Sequence, residues 1–149
     1  MSEYLLHFDG SISKNPNGIA AYGYVIKKDG VFFNSGSQCL GSGPYSNNYA
    51  ELYGAYKGLE DIYKVAKAGD KVFVRGDSQL AIYLMQKKYR AKSESLYYPA
   101  FKLADAQIKK LRHICPVMFD WVPRKFNQEA DELSKWDRQE VYVDNHVEL

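Results

Sequence analysis

Residues 71–86 read KVFVRGDSQLAIYLMQ, and this stretch indicates the fold class most directly. Residues 71–76 form a short segment rich in Val and Phe, which is typical of a strand. From Ser78 onward the apolar residues have helical spacing, and Ser78 is placed to cap that helix. Asp77 therefore stands where a predicted strand gives way to a predicted helix. This alternation favours a sheet with helices packed on its faces.

The segments before this stretch predict three further strands, at 3–9, 20–28 and 31–40. Asp29-Gly30 lies between the last two and is a two-residue hairpin signal. The first three strands are therefore expected to form an antiparallel meander at one side of the sheet.

Helices connect the remaining strands. An apolar stripe at spacings of three and four runs from Leu52 to Ala66, with Ser46 or Asn47 as its N-terminal cap and Gly69 as its stop. The later elements are a helix from Pro99, a strand at 116–122 and a final helix at 128–136 capped by Asn127. The order β-β-β-α-β-α-α-β-α predicts one mixed sheet, because helical crossovers join parallel strands.

The composition and the lack of targeting signals narrow the class of protein. Of the 149 residues, 46% are hydrophobic and 26% are charged, which is typical of a folded globular chain. The chain start lacks the regions of a secretory signal, and no apolar stretch is long enough to span a bilayer. Two cysteines without a CxxC pair predict neither a disulfide framework nor a zinc site. We expect one cytoplasmic domain over 1–136 and a tail at 137–149, with no membrane partner and no signal for an oligomeric state.

Charge is unevenly distributed along the chain. The net charge is +2, but residues 57–136 hold sixteen Lys/Arg against ten Asp/Glu, while the tail is acidic. A basic segment of this kind suits an anionic polymer such as nucleic acid. Solvated helix faces are the simpler explanation, and charge alone leaves both interpretations open.

Four acidic residues fall at the ends or starts of predicted elements. They are Asp9 at the end of the first strand, Glu51 in the first helix, Asp77 at the end of the fourth strand and Asp131 in the first turn of the last helix. Turn chemistry or the positive end of a helix dipole explains each of them alone. Together they would repel one another unless a divalent cation lay among them. Hard oxygen ligands with few histidines favour Mg²⁺ or Mn²⁺ over zinc.

Several sequence blocks, in this order, resemble the type 1 ribonuclease H family. The blocks are FDGS with NPNGIAAYGYVI at 8–26, SNNYAELYGAYKGLE at 46–60, VRGDSQL at 74–80 and WVPRKFNQEADELSK at 121–135. The resemblance implies a five-stranded mixed sheet in strand order 3-2-1-4-5. It also implies endonucleolytic hydrolysis of the RNA strand of RNA–DNA hybrids with two metal ions, leaving 3′-hydroxyl and 5′-phosphate ends. Carried over by position, Asp9, Glu51, Asp77 and Asp131 would be the catalytic metal ligands.

The same resemblance implies substrate contacts. Asn47, Asn48 and Gln79 match residues that touch bases and sugars in the minor groove. Gly10 and Ser11 would let the backbone approach ribose, whose 2′-hydroxyl distinguishes RNA from DNA. Helix capping explains the two asparagines as well, and a solvent-facing helix position explains the glutamine.

The chain departs from the family pattern in the loop before Asp131. Many members carry a histidine there that is thought to help the product leave, and this chain has none. Arg124, Lys125 or Asn127 could replace it, and His146 in the tail could fold back to the site. Only about ten residues, KKYRAKSESL at 87–96, join the second and third helices, where some bacterial members carry a basic protrusion. The loop and helix VPRKFNQEADELSK at 122–135 resemble the compact archaeal, plant-like and retroelement-like branch. Some of that branch also cut RNA–RNA duplexes, so double-stranded RNA stays an alternative partner.

Two other functions are compatible with a ribonuclease H-like fold. An inactive member could serve as a nucleic-acid-binding module, although such modules usually lose at least one of the four carboxylates. A transposase or resolvase-type relative would cut DNA, although these do not normally share the Asn-Asn pair and the Asp-Ser-Gln turn.

Overall fold

The computed structural model describes residues 1–135, and they form a five-stranded mixed sheet with helices on both faces. The strands are β1 (Glu3–Ile12), β2 (Ile19–Lys28), β3 (Val31–Ser42), β4 (Lys71–Gly76) and β5 (Val117–Trp121). The helices are α1 (Asn47–Tyr63), α2 (Gln79–Met85), α3 (Tyr98–Arg112) and α4, which is helical from 128 to the last described residue, 135. A short 3-10 turn, Arg124–Phe126, precedes α4.

The strand order is β3-β2-β1-β4-β5, which confirms the predicted ribonuclease H-like topology. β1 pairs antiparallel with β2 and parallel with β4, and β4 pairs parallel with β5. The carboxyl ends of β1, β4 and β5 consequently meet at one edge of the sheet, where ligand sites of open α/β sheets gather.

The core lies between the sheet and helices α1 and α3. β1 contributes Tyr4, Leu6 and Phe8, whose alternate positions place them on one face. Full burial of a side chain such as Leu6 contributes about 1.5–3 kcal/mol. α1 approaches this face closely at Gly58, because a Cβ there would lie 2.4 Å from a Leu6 methyl carbon. α4 covers the other face, where the Ser11 hydroxyl donates to a carbonyl of α4 at 2.7 Å.

β1 is longer than its sequence pattern predicts, and this corrects the placement of Asp9. The strand does not end at Asp9, because antiparallel pairing with β2 continues from Asp9↔Gly23 to Ile12↔Ala20. Pairing with β4 stops one residue before Asp9, at Phe8↔Gly76. Asp9 therefore lies inside β1 but just beyond the end of β4.

Other boundaries also differ from the prediction. α1 ends at Tyr63, with Lys64 as its C-cap, so Ala66 lies outside the helix. Gly69 has φ +95° in the turn before β4, where its lack of a side chain permits that backbone angle. α3 begins at Tyr98, one residue before the proline, and β3 extends to Ser42. The 3-10 turn was not predicted.

Within the described residues, no helix is both long and apolar enough to cross a membrane. The predicted division between a domain at 1–136 and a tail at 137–149 stays a prediction, as does the fold-back of His146. Residues from 136 onward lie outside the part of the chain that the structure describes.

Candidate active site

The four acidic residues singled out in the sequence line one cleft of about 580 Å³. They come from four different elements: Asp9 from β1, Glu51 from α1, Asp77 from the turn after β4 and Asp131 from α4. Carboxylate oxygens of Asp9, Glu51 and Asp77 all lie within 4.8 Å of one another. Residues 122 positions apart in the chain are thus gathered at one edge of the sheet.

The register of the parallel strands places Asp9 and Asp77 side by side. Phe8 pairs with Gly76, so each aspartate is the first residue after that pair. Gly76 itself has no room for a side chain, because a Cβ there would lie 2.6 Å from the Phe8 ring. The position of Asp77 therefore depends on close packing one residue earlier.

Glu51 is buried on the face of α1 that packs against β1. α1 comes this close because Gly10 has no side chain: a Cβ there would lie 2.4 Å from the Glu51 backbone nitrogen. Its Oε2 atom is buried and has no hydrogen-bond partner among the described residues. A buried carboxylate oxygen without a partner is costly, so this atom is suited to a ligand.

Asp131 completes the cluster on the α4 side and is paired with two cations. Arg124 Nη2 lies 3.2 Å from one carboxylate oxygen, and Lys135 Nζ lies 3.2 Å from the other. The start of α4 is anchored by Asn127, whose Nδ2 donates to the Phe8 carbonyl at 2.8 Å. This bond joins the helix that carries Asp131 to the residue that precedes Asp9.

Burial dominates the electrostatics of the cluster. It raises the pKa of Asp9 to about 7, and the neighbouring aspartates act in the same direction. Burial and the charge of Asp9 raise the pKa of Glu51 well above its ordinary range, and burial also raises the pKa of Asp77. Asp131 differs: burial opposes its charge, but a hydrogen bond with Asp9 and the nearby cations lower its pKa overall. Without a cation, the cluster therefore retains protons.

The donor set fits a hard divalent cation. All ligand atoms offered are carboxylate oxygens, one of them buried without a partner, and their shared repulsion would be relieved by a positive ion. Asp9, Glu51 and Asp77 are the residues placed to hold it, with Asp131 beside them. Oxygen-only donors suit Mg²⁺ or Mn²⁺ and do not suit zinc, which prefers nitrogen and sulfur.

The predicted substrate contacts divide into two groups. Gly10, Ser11 and Asn47 line the cleft with the carboxylates, whereas Asn48 and Gln79 lie outside its lining, in the first turns of α1 and α2. Ser46 caps α1 by accepting from the Tyr49 amide at 3.1 Å, so the asparagine side chains are not used as caps. The Ser11 hydroxyl already donates to α4, so its proton is not available to a ligand.

The three candidates for the missing loop histidine also differ. Arg124 lines the cleft beside Asp131, and Lys125 is exposed on the adjoining 3-10 turn. Asn127 is buried and its amide is bonded to β1, which argues against the suggested phosphate contact. Its role in this structure is to anchor α4.

Trp121 is a residue of the cleft that sequence reasoning missed. It is the last residue of β5, it lines the cleft, and its indole Nε1 donates to the Asp77 carbonyl at 3.0 Å. The only signal available in the sequence was its place at the end of the strand that precedes the loop to Asp131. Lys135, which also lines the cleft, had no such signal.

Sequence comparisons place these features in a family. The family model described as RNase H matches residues 1–139. The bifunctional protein Rv2228c of Mycobacterium tuberculosis and the uncharacterized protein Mb2253c of Mycobacterium bovis are each 30% identical to this chain over 132 residues. That alignment covers 87% of this chain but 34% of each relative, so the chain spans about a third of their length.

Solved structures give the same result for the fold. The N-terminal RNase H domain of rv2228c from Mycobacterium tuberculosis matches with a TM-score of 0.84 and 25% identity, covering 97% of this chain and 99% of that one. RNase H1 from Halobacterium salinarum NRC-1 matches at 0.77 and 25% identity, over 93% and 98% of the two chains. LC11-RNase H1 in complex with an RNA/DNA hybrid matches at 0.75 and 30% identity, over 87% and 92%.

Proposed function

The chain belongs to the RNase H family and carries a ribonuclease H fold; from this premise we propose that it hydrolyses the RNA strand of RNA–DNA hybrids. We propose further that it is an endonuclease that uses two divalent cations and leaves 3′-hydroxyl and 5′-phosphate ends. The observation that carries the proposal is the group of three carboxylates within 4.8 Å, one with a buried unpartnered oxygen, at an open cleft. A protein that only binds nucleic acid has no need of such a costly arrangement.

The cluster supports the metal-dependent part of the proposal. Asp9, Glu51, Asp77 and Asp131 would hold two Mg²⁺ ions, with Mn²⁺ as a substitute. When bound, such a pair of ions activates a water molecule and stabilises the leaving oxygen of a phosphodiester. The chain's own part is to keep the carboxylates converged through the Phe8–Gly76 pair and the close approach of α1 at Gly10.

The cleft walls support the choice of substrate. Asn47 and the backbone at Gly10 and Ser11 border the carboxylates, so a strand whose scissile phosphate lay on the cluster would bring its ribose against them. We assign recognition of the 2′-hydroxyl to this wall, because that group separates RNA from DNA. Asn48 and Gln79 lie farther along the helix starts and would contact the neighbouring minor groove. The hybrid bound by the similar LC11-RNase H1 is consistent with this assignment.

Two cations of the 3-10 turn before α4 have a separate proposed role. Arg124 is exposed on one side and paired with Asp131 on the other, and Lys125 follows it. We propose that they contact the phosphate of the product, since guanidinium and ammonium groups both bind phosphate oxygens. Asn127 is left out of this role because it is buried.

The test is cleavage of a labelled RNA–DNA hybrid in Mg²⁺, beside RNA–RNA and DNA–DNA duplexes of the same sequence. Cutting of the RNA strand of the hybrid, lost in EDTA and in Asp77→Asn, is the expected result. Product ends are read by whether a ligase or a polymerase accepts them directly. Cutting of the RNA–RNA duplex as well would widen the substrate class. Cutting of DNA alone, or binding without cutting in Mg²⁺ and Mn²⁺, would overturn the proposal in favour of a DNA-cutting relative or a binding module.

A further inference from the structure

Trp121 reaches from the end of β5 to the turn that carries Asp77. Its indole Nε1 donates to the Asp77 carbonyl oxygen at 3.0 Å. Its exposed fraction is 41%, so the ring lies on the cleft wall and is not part of the core. The bond therefore joins a cleft residue to the backbone of a predicted metal ligand.

The Asp77 peptide lies where the sheet no longer constrains it. β4 pairs with β1 as far as Gly76, and with β5 through the pair Gly76↔Trp121. The last backbone bond on this side is from the Val122 amide to the Gly76 carbonyl at 2.9 Å. α2 begins only at Gln79, with Ser78 as its cap. Asp77 is thus the residue between strand and helix, and the indole holds its carbonyl from the β5 side.

A charged carboxylate at this point is repelled by any charged neighbour in the cluster. Oxygens of Asp77, Asp9 and Glu51 lie within 4.8 Å of one another. The Asp77 carbonyl belongs to the peptide that joins Asp77 to Ser78, and a turn free to change its backbone angles there would let the carboxylate move away from the other two. A hydrogen bond that fixes this peptide opposes that movement and keeps the carboxylate converged before any cation binds.

We propose that Trp121 is a positioning residue for the metal site, acting through the Asp77 peptide rather than by touching the reacting phosphate. The inference rests on the proposed function, because it assumes that Asp77 is a metal ligand. Loss of groups that orient metal ligands commonly lowers metal affinity about 10- to 100-fold. Since the bond is to the backbone and not to the carboxylate, we expect an effect near tenfold.

The experiment compares wild type with Trp121→Phe, which keeps an aromatic ring but removes the N–H donor. The first readout is the rise in Tm as Mg²⁺ or Mn²⁺ is added to the metal-free protein, which needs no turnover. The second is kcat and KM for the hybrid across Mg²⁺ concentrations. Tyr63→Leu is the matched control, because it removes an exposed ring from the far end of α1.

The expected result for Trp121→Phe is a half-saturating Mg²⁺ concentration raised about tenfold, with Tm in EDTA and KM for the hybrid nearly unchanged. Tyr63→Leu should leave the metal response unchanged. A lower Tm in EDTA with an unchanged metal response would show a merely structural role and overturn the inference. A raised KM with an unchanged metal response would show a substrate contact and overturn it as well.

A second replacement guards against repacking in Trp121→Phe. The chain has two tryptophans, so Trp136→Phe is made first and a tryptophan analogue then replaces Trp121 alone. The analogue β-(3-benzothienyl)alanine keeps the two-ring outline and exchanges the N–H for sulfur. The same weakening of the metal response is expected, and a wild-type response would overturn the inference. If the wild-type protein itself showed no response to Mg²⁺ or Mn²⁺, the proposed metal site would fail, which is a different outcome from failure at Trp121 alone.

Discussion

β4 has an aspartate at each end, and the two are treated in opposite ways. Asp70 precedes the strand and accepts the backbone N–H groups of Ser2 and Lys67, both at 2.8 Å. Those two N–H groups lower the pKa of Asp70. Asp77 follows the strand, faces Asp9 and Glu51, and has a pKa raised by burial. The aspartate at one end of this six-residue strand thus has hydrogen-bond donors for its carboxylate, whereas the aspartate at the other end faces two further carboxylates.

The amino end of β4 contributes to the stability of the fold, whereas its carboxyl end forms the candidate active site. At the amino end of β4 the turn supplies donors, so the carboxylate ties the chain start to the sheet. At the carboxyl end three carboxylates converge and one oxygen has no partner among the described residues. An unfavourable arrangement of this kind persists only if it serves a ligand, which is why strained or unsatisfied groups collect at functional sites.

The largest expected difference between the two ends is in activity. Asp77→Asn should lower kcat/KM for a hybrid at least about 1,000-fold, which is about 4 kcal/mol of activation free energy. The neutral amide keeps the shape of the side chain but no longer offers a charged ligand. Asp70→Asn is the matched control and should retain wild-type cleavage. Equal losses in the two variants would mean that Asp77 acts through folding, and the contrast between the ends would be lost.

The second expected effect is on stability without metal. Asp9→Asn should raise the free energy of unfolding in EDTA at pH 8, by an amount on the order of 2–4 kcal/mol. The reason is that the pKa of Asp9 is about 7 in the fold and 3.8 as a free side chain, so the folded protein binds more protons between these values. The contribution of Asp9 to wild-type stability in EDTA should therefore be greatest below pH 4 and decline as the pH rises to 7.

Denaturant unfolding at pH 4 and pH 8 checks this effect. Asp9→Asn should be close to wild type at pH 4, because both side chains are then neutral, and more stable at pH 8. Mg²⁺ should narrow the gap at pH 8, since only the wild-type carboxylate gains from a cation. A variant less stable than wild type at both pH values would contradict the view that the ionised Asp9 side chain lowers the stability of the metal-free protein.

Local sequence patterns account for the elements and for the choice of acidic residues. The short strand at 71–76, the hairpin signal at Asp29-Gly30 and the capped helix starts all depend on neighbours in sequence. The errors came where tertiary pairing decides: β1 runs past Asp9 because β2 continues beside it, and α1 stops at Tyr63 well before Gly69.

Two bonds that organise the site had no local signal at all. Trp121 and Asp77 are 44 residues apart, and Asn127 and Phe8 are 119 apart. In each case a side chain donates to a backbone carbonyl in a distant strand or directly after one, so the partner is defined only once the sheet has formed. The positions of the four carboxylates singled them out and the resemblance to a family gave them a role, but neither indicated these two bonds that hold them in place.

The third prediction concerns Asn127 at the active end, whose Nδ2 is bonded while its buried Oδ1 has no hydrogen-bond partner among the described residues. Asn127→Ala should lower the free energy of unfolding by about 1–3 kcal/mol, because it leaves the Phe8 carbonyl buried without its donor. It should also weaken cleavage, since α4 carries Asp131. Asn34→Ala is the control: its amide bonds Asp61 at 3.0 Å in an exposed position, and its loss should cost less than about 0.5 kcal/mol. Equal costs would mean that the buried bond from Asn127 to Phe8 stabilises the fold no more than an exposed side-chain bond does.

The smallest expected effect is at the amino end of β4. Asp70→Asn should lower Tm at neutral pH only modestly, because the amide oxygen still accepts one of the two N–H bonds. The pKa of Asp70 is lowered in the fold, so its contribution is present above the ordinary aspartate pKa and is lost as the pH falls. The Tm of wild type minus that of Asp70→Asn should therefore become more positive as the pH rises, whereas the Tm of wild type minus that of Asp9→Asn in EDTA should become more negative. Thermal unfolding of both variants across pH 3–8 tests the two slopes together. Slopes of the same sign would mean that an ionised aspartate has the same effect on stability at both ends of β4.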